Sequence, residues 1–323
     1  MSRLAAETSP TVLFIGGAGR SGSTLLEMML GQVEGTFAAG EVTYLWERGL
    51  TENQLCGCGL PLRDCEFWER VVAATFDGGE VPTATLAAER RYLCSLGNTP
   101  RLAVPALRTP GFRKRLGAYR EALVRLYRAI ADETGADVVT DSSKYPPEAL
   151  LLAGAEGIDL RIVHLVRDSQ AVAHAWQRWK LRPEIHWKEE YMPRYPYPQT
   201  AVAWNVFNGL FERMRRRGTP TLRVRYEDMV RDPRAALEQV CEFMGKPEAR
   251  LDFLEGRRFA IEPNHTCSGN PIRFEDGAVE IRSSDAWERE ISGMQRRVVA
   301  AMTYPYRRRY GYTERTADGE TEG

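Results

Sequence analysis

The segment that most constrains the fold lies near the start of the chain. Thr11 to Gly17 (TVLFIGG) is β-branched and apolar and ends in glycines, so it reads as a short buried strand. Thr24 to Leu30 (TLLEMML) reads as a helix. Between them, Gly17-Ala18-Gly19-Arg20-Ser21-Gly22-Ser23-Thr24 matches the phosphate-cradling pattern GxxxxGK[ST] at every fixed position but one. Strand, glycine-rich turn and helix aim backbone N–H groups and the positive helix end at an anion. Ser23 stands where the pattern has lysine, and the nearest cation is Arg20. An ATP-using enzyme of this design needs that lysine on the phosphates and Mg²⁺ on the next hydroxyl. The turn therefore argues for an anion site and against ATP hydrolysis.

Three more segments read as strands: Asp137 to Asp141 (DVVTD), Arg161 to Val166 (RIVHLV) and Thr221 to Tyr226 (TLRVRY). Helical patterns follow at Ser169 to Trp179 and Arg234 to Met244, and residues 84–134 look largely helical, most clearly Arg113 to Glu133. Trp287 to Arg309 reads as a final helix. This alternation predicts an α/β fold with a P-loop-like parallel β-sheet flanked by helices on both faces. No repeat or linker divides the chain, so one domain is expected over residues 1–323, with loose tails at 1–10 and 313–323. Residues 180–200 hold four prolines and many aromatics and read as an ordered loop or lid.

Charge narrows the partners. The chain has 44 Lys+Arg and 44 Asp+Glu, a formal net charge of 0. Such a chain lacks the broad positive field that drives binding to nucleic acid, so no nucleic-acid partner is expected. The balance neither favours nor opposes self-association. Only five of the basic residues are lysines, whereas 39 are arginines, whose planar forks suit phosphate and sulfate oxygens. No apolar run approaches the roughly 18–20 residues that span a bilayer, and Val12 to Ile15 is too short for a signal-peptide core. A cytoplasmic protein without a transmembrane segment is expected. Cys56-Gly-Cys58-x6-Cys65 has no second ligand pair at zinc spacing, so no metal is expected and reduced thiols are the default, with a disulfide as the alternative.

Two further segments suit anions. Arg167, in Leu165-Val166-Arg167-Asp168, follows a strand and can fork onto a phosphate at the carboxyl edge of a sheet; the bland alternative is an ion pair with Asp168. Ser268-Gly269-Asn270-Pro271-Ile272-Arg273 is turn chemistry from which Arg273 emerges as a third anion clamp.

Arg20-Ser21-Gly22-Ser23-Thr24 resembles the [KR]-S-G-[ST]-[ST] loop of the sulfotransferases that use 3′-phosphoadenosine 5′-phosphosulfate (PAPS). The late S-G-N-P-x-R stretch is similar to one in that family's bacterial members, and Arg225-Tyr226-Glu227-Asp228-Met229-Val230-x-Asp232-Pro233 resembles a recurrent family segment after the fourth strand, expected to be architectural. The resemblance runs from about Thr11 to Tyr312. It implies a sulfotransferase with PAPS as donor and its desulfated product PAP. It also implies 5′-phosphosulfate contacts at Arg20, Ser21, Gly22, Ser23, Thr24 and Leu25, a 3′-phosphate contact at Arg167, and nucleotide contacts at Asn270 and Arg273. The family's usual serine eight residues after that arginine is Ala175 here. The loss of one neutral hydrogen bond costs about 0.5–1.5 kcal/mol, too little to overturn the reading.

Glu41, in Ala39-Gly40-Glu41-Val42, is the expected catalytic base, since tyrosylprotein sulfotransferases carry a catalytic Glu in a similar Gly-Glu segment; a surface Glu is the alternative. The histidines His164, His174, His186 and His265 are the rival bases. Lys144, in Thr140-Asp141-Ser142-Ser143-Lys144, lies just past a strand and is expected to stabilise the leaving oxygen, with Ser142 or Ser143 assisting and Arg20 on the transferred group. A solvated lysine paired with Asp141 is the alternative. Residues 42–100 and the aromatics Trp187, Tyr191, Tyr195 and Tyr197 are expected to shape the site for a small-molecule, glycan or lipid acceptor. A small-molecule kinase using Mg-ATP and a non-catalytic nucleotide-binding protein remain as alternatives.

Overall fold

The computed structural model describes residues 9–275, 277–282 and 286–313. The tails expected at 1–10 and 313–323 fall outside these, except residues 9, 10 and 313. The chain runs β1 (Thr11–Gly16), α1 (Ser23–Leu30), β2 (Thr36–Ala38), α2 (Glu66–Thr75), α3 (Thr83–Leu93), α4 (Thr99–Ala103), α5 (Pro110–Thr134) and β3 (Val138–Lys144). It continues through α6 (Pro146–Leu152), β4 (Asp159–Val166), α7 (Ser169–Ala175), α8 (Tyr197–Arg216), β5 (Thr221–Arg225), α9 (Tyr226–Arg231) and α10 (Pro233–Met244). A small antiparallel hairpin of β6 (Arg258–Ile261) and β7 (Gly277–Glu280) follows, then α11 (Trp287–Glu290) and α12 (Gly293–Arg309).

Five strands form one parallel sheet in the order β2-β3-β1-β4-β5. β1 is central and fully covered. Val12 and Phe14 enter one core with Trp46, Trp68, Tyr119, Tyr127 and Phe211. Leu13 and Ile15 enter the other, with Leu26, Met29, Leu237 and Val240. Alternate residues of one strand thus anchor two helical layers. After β3 the chain crosses from one side of β1 to the other to make β4. Ligands of open α/β sheets bind at this reversal, beyond the carboxyl ends of the strands.

Local chemistry sets the helix limits. α5 starts with Thr109 accepting from the Phe112 N–H at 3.3 Å and Pro110 in its first turn, and it stops at Gly135, which has φ 66°. The structure also departs from the expected pattern. β3 continues three residues past Asp141, to Lys144. The helix after Arg167 ends at Ala175, and the Trp176 ring beyond it lies under Arg20 of the glycine-rich loop. The final helix is broken before Ser292, which starts α12 with a reciprocal capping box to Gln295. No helix among the described residues is long and apolar enough to cross a membrane.

Phe14 is fully buried in the central strand. We expect Phe14→Ala to lower unfolding stability by about 3–5 kcal/mol, read from the urea midpoint at unchanged slope.

Candidate active site

The loop after β1 places its groups around the start of α1. Gly22 caps this helix with φ 92° and no side chain closes its first turn, so the leading N–H groups face outward. A Cβ on Gly22 would lie 2.6 Å from the Tyr226 ring, so both conformation and space require glycine. Arg20 has φ 70°, a left-handed conformation that costs a non-glycine residue on the order of 1–3 kcal/mol. Its guanidinium lies over Trp176, 4.8 Å from the ring centroid, and donates to Met192 Sδ at 2.7 Å. Burial lowers its pKa, opposed by the nearby Glu41 charge.

Arg167, just past β4, meets this loop. Its Nη1 donates to Arg20 O at 2.9 Å, and its guanidinium lies over Tyr226 at 4.2 Å. Asp168 is engaged elsewhere: it caps α7 and takes a hydrogen bond from Arg307 at 2.6 Å. The bland pairing of Arg167 with Asp168 therefore does not form. The Arg225–Asp228 segment is architectural for this site, with Tyr226 against both Gly22 and Arg167, and Glu227 accepting from the Asp168 N–H at 3.0 Å. Arg20 Nε, Ser21 Oγ and Arg167 Nε are buried with no hydrogen-bond partner.

Glu41 and Lys144 meet across 103 residues in a short charged hydrogen bond, and Lys144 Nζ also donates to Ser142 O at 3.0 Å. Both side chains are largely buried. Lys144 has φ 69° and its carbonyl accepts from the Gly17 N–H at 3.2 Å, which ties the end of β3 to the start of the phosphate loop. Lys144 thus pairs with Glu41 and not with Asp141. Asp141 accepts from the Ser143 N–H at 2.8 Å and from Tyr127 Oη at 2.6 Å, and burial raises its pKa to about 6.

Glu27, which sequence reading passed over as a helix residue, underlies this pair. It is 1% exposed. Its Oε1 accepts from the Gly40 N–H at 2.9 Å and from Thr140 Oγ1 at 3.3 Å, and its Oε2 lies 2.5 Å from Ser142 Oγ. Burial pushes its pKa up to about 8, partly offset by the Ser142 hydrogen bond. Gly40 has φ 84°, and a Cβ there would lie 2.7 Å from Cys267 N.

The late loop reaches the same place through Asn270, whose N–H donates to Thr24 Oγ1 at 3.3 Å. Its Oδ1 accepts from Lys180 Nζ at 2.6 Å. Asn270 thus links Lys180, from the expected lid, to the start of α1; burial and then the Arg20 charge lower the pKa of Lys180. Arg273 is placed differently from the expected clamp. It is 1% exposed, with Nη1 donating to Thr266 O at 2.6 Å and Nη2 to Leu55 O at 2.8 Å. Both of its Nη groups hold backbone carbonyls and not the edge beside the glycine-rich loop. Of the lid aromatics, Trp187 and Tyr191 are exposed, Tyr195 packs edge-on against Trp176, and Tyr197 packs on Ala173 and Ala201.

The histidines are dispersed. His164 is in the core beside Asn208 Oδ1 at 2.8 Å, and burial lowers its pKa to about 4. His174 contacts Glu290 at 2.8 Å, and His186 contacts Asn53 O at 3.2 Å. His265 joins the cysteines, with Nδ1 3.3 Å from Cys65 Sγ. That fourth donor comes from 200 residues away, and the local spacing that argued against a metal could not register it.

This is a P-loop-like α/β protein whose strand edge gathers a glycine-rich loop, two arginines and a carboxylate–lysine pair. Residues 107–249 match the model of the sulfotransferase family. Two solved structures are similar over nearly the whole chain. The sulfotransferase domain from the curacin biosynthetic pathway is 18% identical, with 91% of this chain and 98% of that one covered and a TM-score of 0.51. The sulfotransferase domain from the Synechococcus PCC 7002 olefin synthase is 20% identical, with 93% and 96% covered and a TM-score of 0.50. No curated protein matches the sequence significantly. The family match is confined to residues 107–249, and the two solved structures share the fold of this chain.

The buried carboxyl of Glu27 has a consequence for stability. Its folded pKa of about 8 exceeds the ordinary 4.5, so between these values the native state holds a proton that the unfolded chain has released. Stability then falls as pH rises through that window. Asp141 acts in the same direction only up to about pH 6, and His164 in the opposite direction only up to its ordinary 6.5. Because other groups also titrate in this range, the expectation concerns the difference: in denaturant unfolding between pH 6.5 and 8, Glu27→Gln should remove a downward contribution, so that the variant's stability falls less, or rises more, with pH than that of the wild type. Equal slopes would remove Glu27 as the source.

Proposed function

We propose that the chain is a PAPS-dependent sulfotransferase acting on a hydroxyl of a small-molecule, glycan or lipid acceptor. The observation that carries this reading is the Glu41–Lys144 pair at the strand edge, tied through Lys144 O to the loop that bears Arg20. The residues fit the donor. The open N-terminus of α1 with Ser21, Gly22, Ser23, Thr24 and Leu25 suits its 5′-phosphosulfate, and Arg167 suits its 3′-phosphate. The unpartnered Ser21 Oγ, Arg20 Nε and Arg167 Nε supply donors, and Lys180 and Asn270 border the same loop.

The donor supplies the sulfuryl group; the protein must position it, offset developing charge and remove the acceptor proton. Glu41 accepts the hydroxyl proton as the acceptor oxygen bonds to sulfur. Lys144 presents a compact positive charge to the bridging oxygen, which keeps the electron pair of the broken S–O bond. Arg20 faces charge on the sulfuryl oxygens. Ser142 and Ser143 act on Lys144 indirectly, Ser142 through its carbonyl and Ser143 through the turn closed on Asp141. Tyr44 and Tyr145, in edge contact at 6.5 Å, flank Glu41 and Lys144 in sequence and give the acceptor side an aromatic rim. The solved neighbours that come from a curacin pathway and an olefin synthase favour the small-molecule end of the acceptor range.

PAP without Mg²⁺ is expected to raise the melting temperature, and Arg167→Ala to abolish most of that rise. Stabilisation by Mg·ATP alone would overturn the donor assignment. Glu41→Gln is expected to lower kcat for sulfate transfer by about 10²-fold or more while leaving PAP binding intact. A loss of similar size is expected for Lys144→Ala. Rates within a few-fold of wild type would refute these roles.

A further inference from the structure

We propose that Cys56, Cys58, Cys65 and His265 bind one zinc ion in a closed structural site. The four donor atoms all lie within 4.8 Å of one another. In a tetrahedral zinc site with bonds of about 2.3 Å to sulfur and about 2.0 Å to nitrogen, sulfurs lie about 3.8 Å apart and sulfur and nitrogen about 3.5 Å apart. Here Cys58 Sγ is 3.8 Å from Cys65 Sγ, and His265 Nδ1 is 3.3 Å from Cys65 Sγ and 3.9 Å from Cys56 Sγ. Three thiolates and one imidazole select zinc over the hard oxygen-seeking cations. With four protein ligands no position is left open for substrate, so the role is structural.

The surroundings hold the donors in place. Cys56 to Leu60 forms a tight turn, with Gly59 N–H donating to Cys56 O at 2.9 Å and Cys56 N–H to Leu60 O at 2.8 Å. Gly57 N–H donates to Thr266 O at 3.0 Å, which brings the turn against the His265 segment. Phe67 stacks on the His265 ring at 4.9 Å and 19°, and Trp68 Nε1 donates to His265 O at 2.8 Å, so ring and backbone are both fixed. Arg273 acquires a role from this site. Its two Nη groups grip Leu55 O, just before Cys56, and Thr266 O, just after His265. Zinc with three thiolates and a neutral imidazole carries one net negative charge, which the buried guanidinium offsets. The pinned segment then backs the catalytic edge: Cys267 N–H donates to Ala39 O at 2.9 Å and Glu41 N–H to Ser268 O at 3.2 Å. Binding releases three thiol protons and involves no redox step.

The test uses the full chain, purified under reducing conditions without chelator. Elemental analysis should find one equivalent of zinc. Cys58→Ser and His265→Ala should lose most of it, while Cys94→Ser, outside the cluster, should keep it. A strong chelator should lower the melting temperature by several degrees, and added zinc should restore it. Cobalt substitution should give the intense visible absorption of a tetrahedral thiolate site, which reports on wild-type protein even if a variant fails to fold. Metal-free reduced protein with an unchanged melting temperature and no cobalt spectrum would overturn the proposal. So would an intact mass lower by two hydrogens with a mapped Cys58–Cys65 disulfide and no bound metal.

Discussion

Three parts of the active edge hang on the buried carboxyl of Glu27. It sits in α1, directly after the phosphate loop, and takes hydrogen bonds from the Gly40 N–H, beside Glu41, and from Thr140 and Ser142, beside Lys144. Fully buried polar networks are costly when incomplete and rigid when satisfied. Because burial favours the neutral acid, Glu27 can brace the loop, the Glu41 segment and the β3 end without adding charge beneath them. The Glu41–Lys144 pair therefore rests on a frame whose parts share one reference point.

Charge at this edge is arranged by stacking as much as by pairing. Arg20 lies over Trp176 and Arg167 over Tyr226. An aromatic face holds a guanidinium plane in position while leaving nitrogens at its edge available. The left-handed backbone at Arg20 and Lys144 adds strain at two points of the same edge.

Much of the fold was legible because it depends on local patterns. The β-branched run Thr11 to Gly17, its glycine turn and the following helix are short-range signals, and β4, beside β1 in the sheet, carries a similar apolar run. β2 has only three residues, and the β6–β7 hairpin has four in each strand, too short for periodicity to declare. The placement of Arg167 just past a strand was legible, while Lys144, expected past a strand, ends β3 itself. The placement of Arg273 was not legible, since the carbonyls it holds belong to residues 7 and 218 positions away.

The sequence by itself determined the parallel α/β plan and the glycine-rich turn between the first strand and helix, because both follow from side-chain periodicity and glycine placement within a few residues. Tertiary structure decided which charges meet. It joined Glu41 to Lys144, set Lys180 beside Arg20, buried Glu27 beneath them and carried His265 to three cysteines. These pairings depend on how the strands order themselves in the sheet and where the late loop folds back. No local spacing encodes a contact between residues 100 or 200 positions apart.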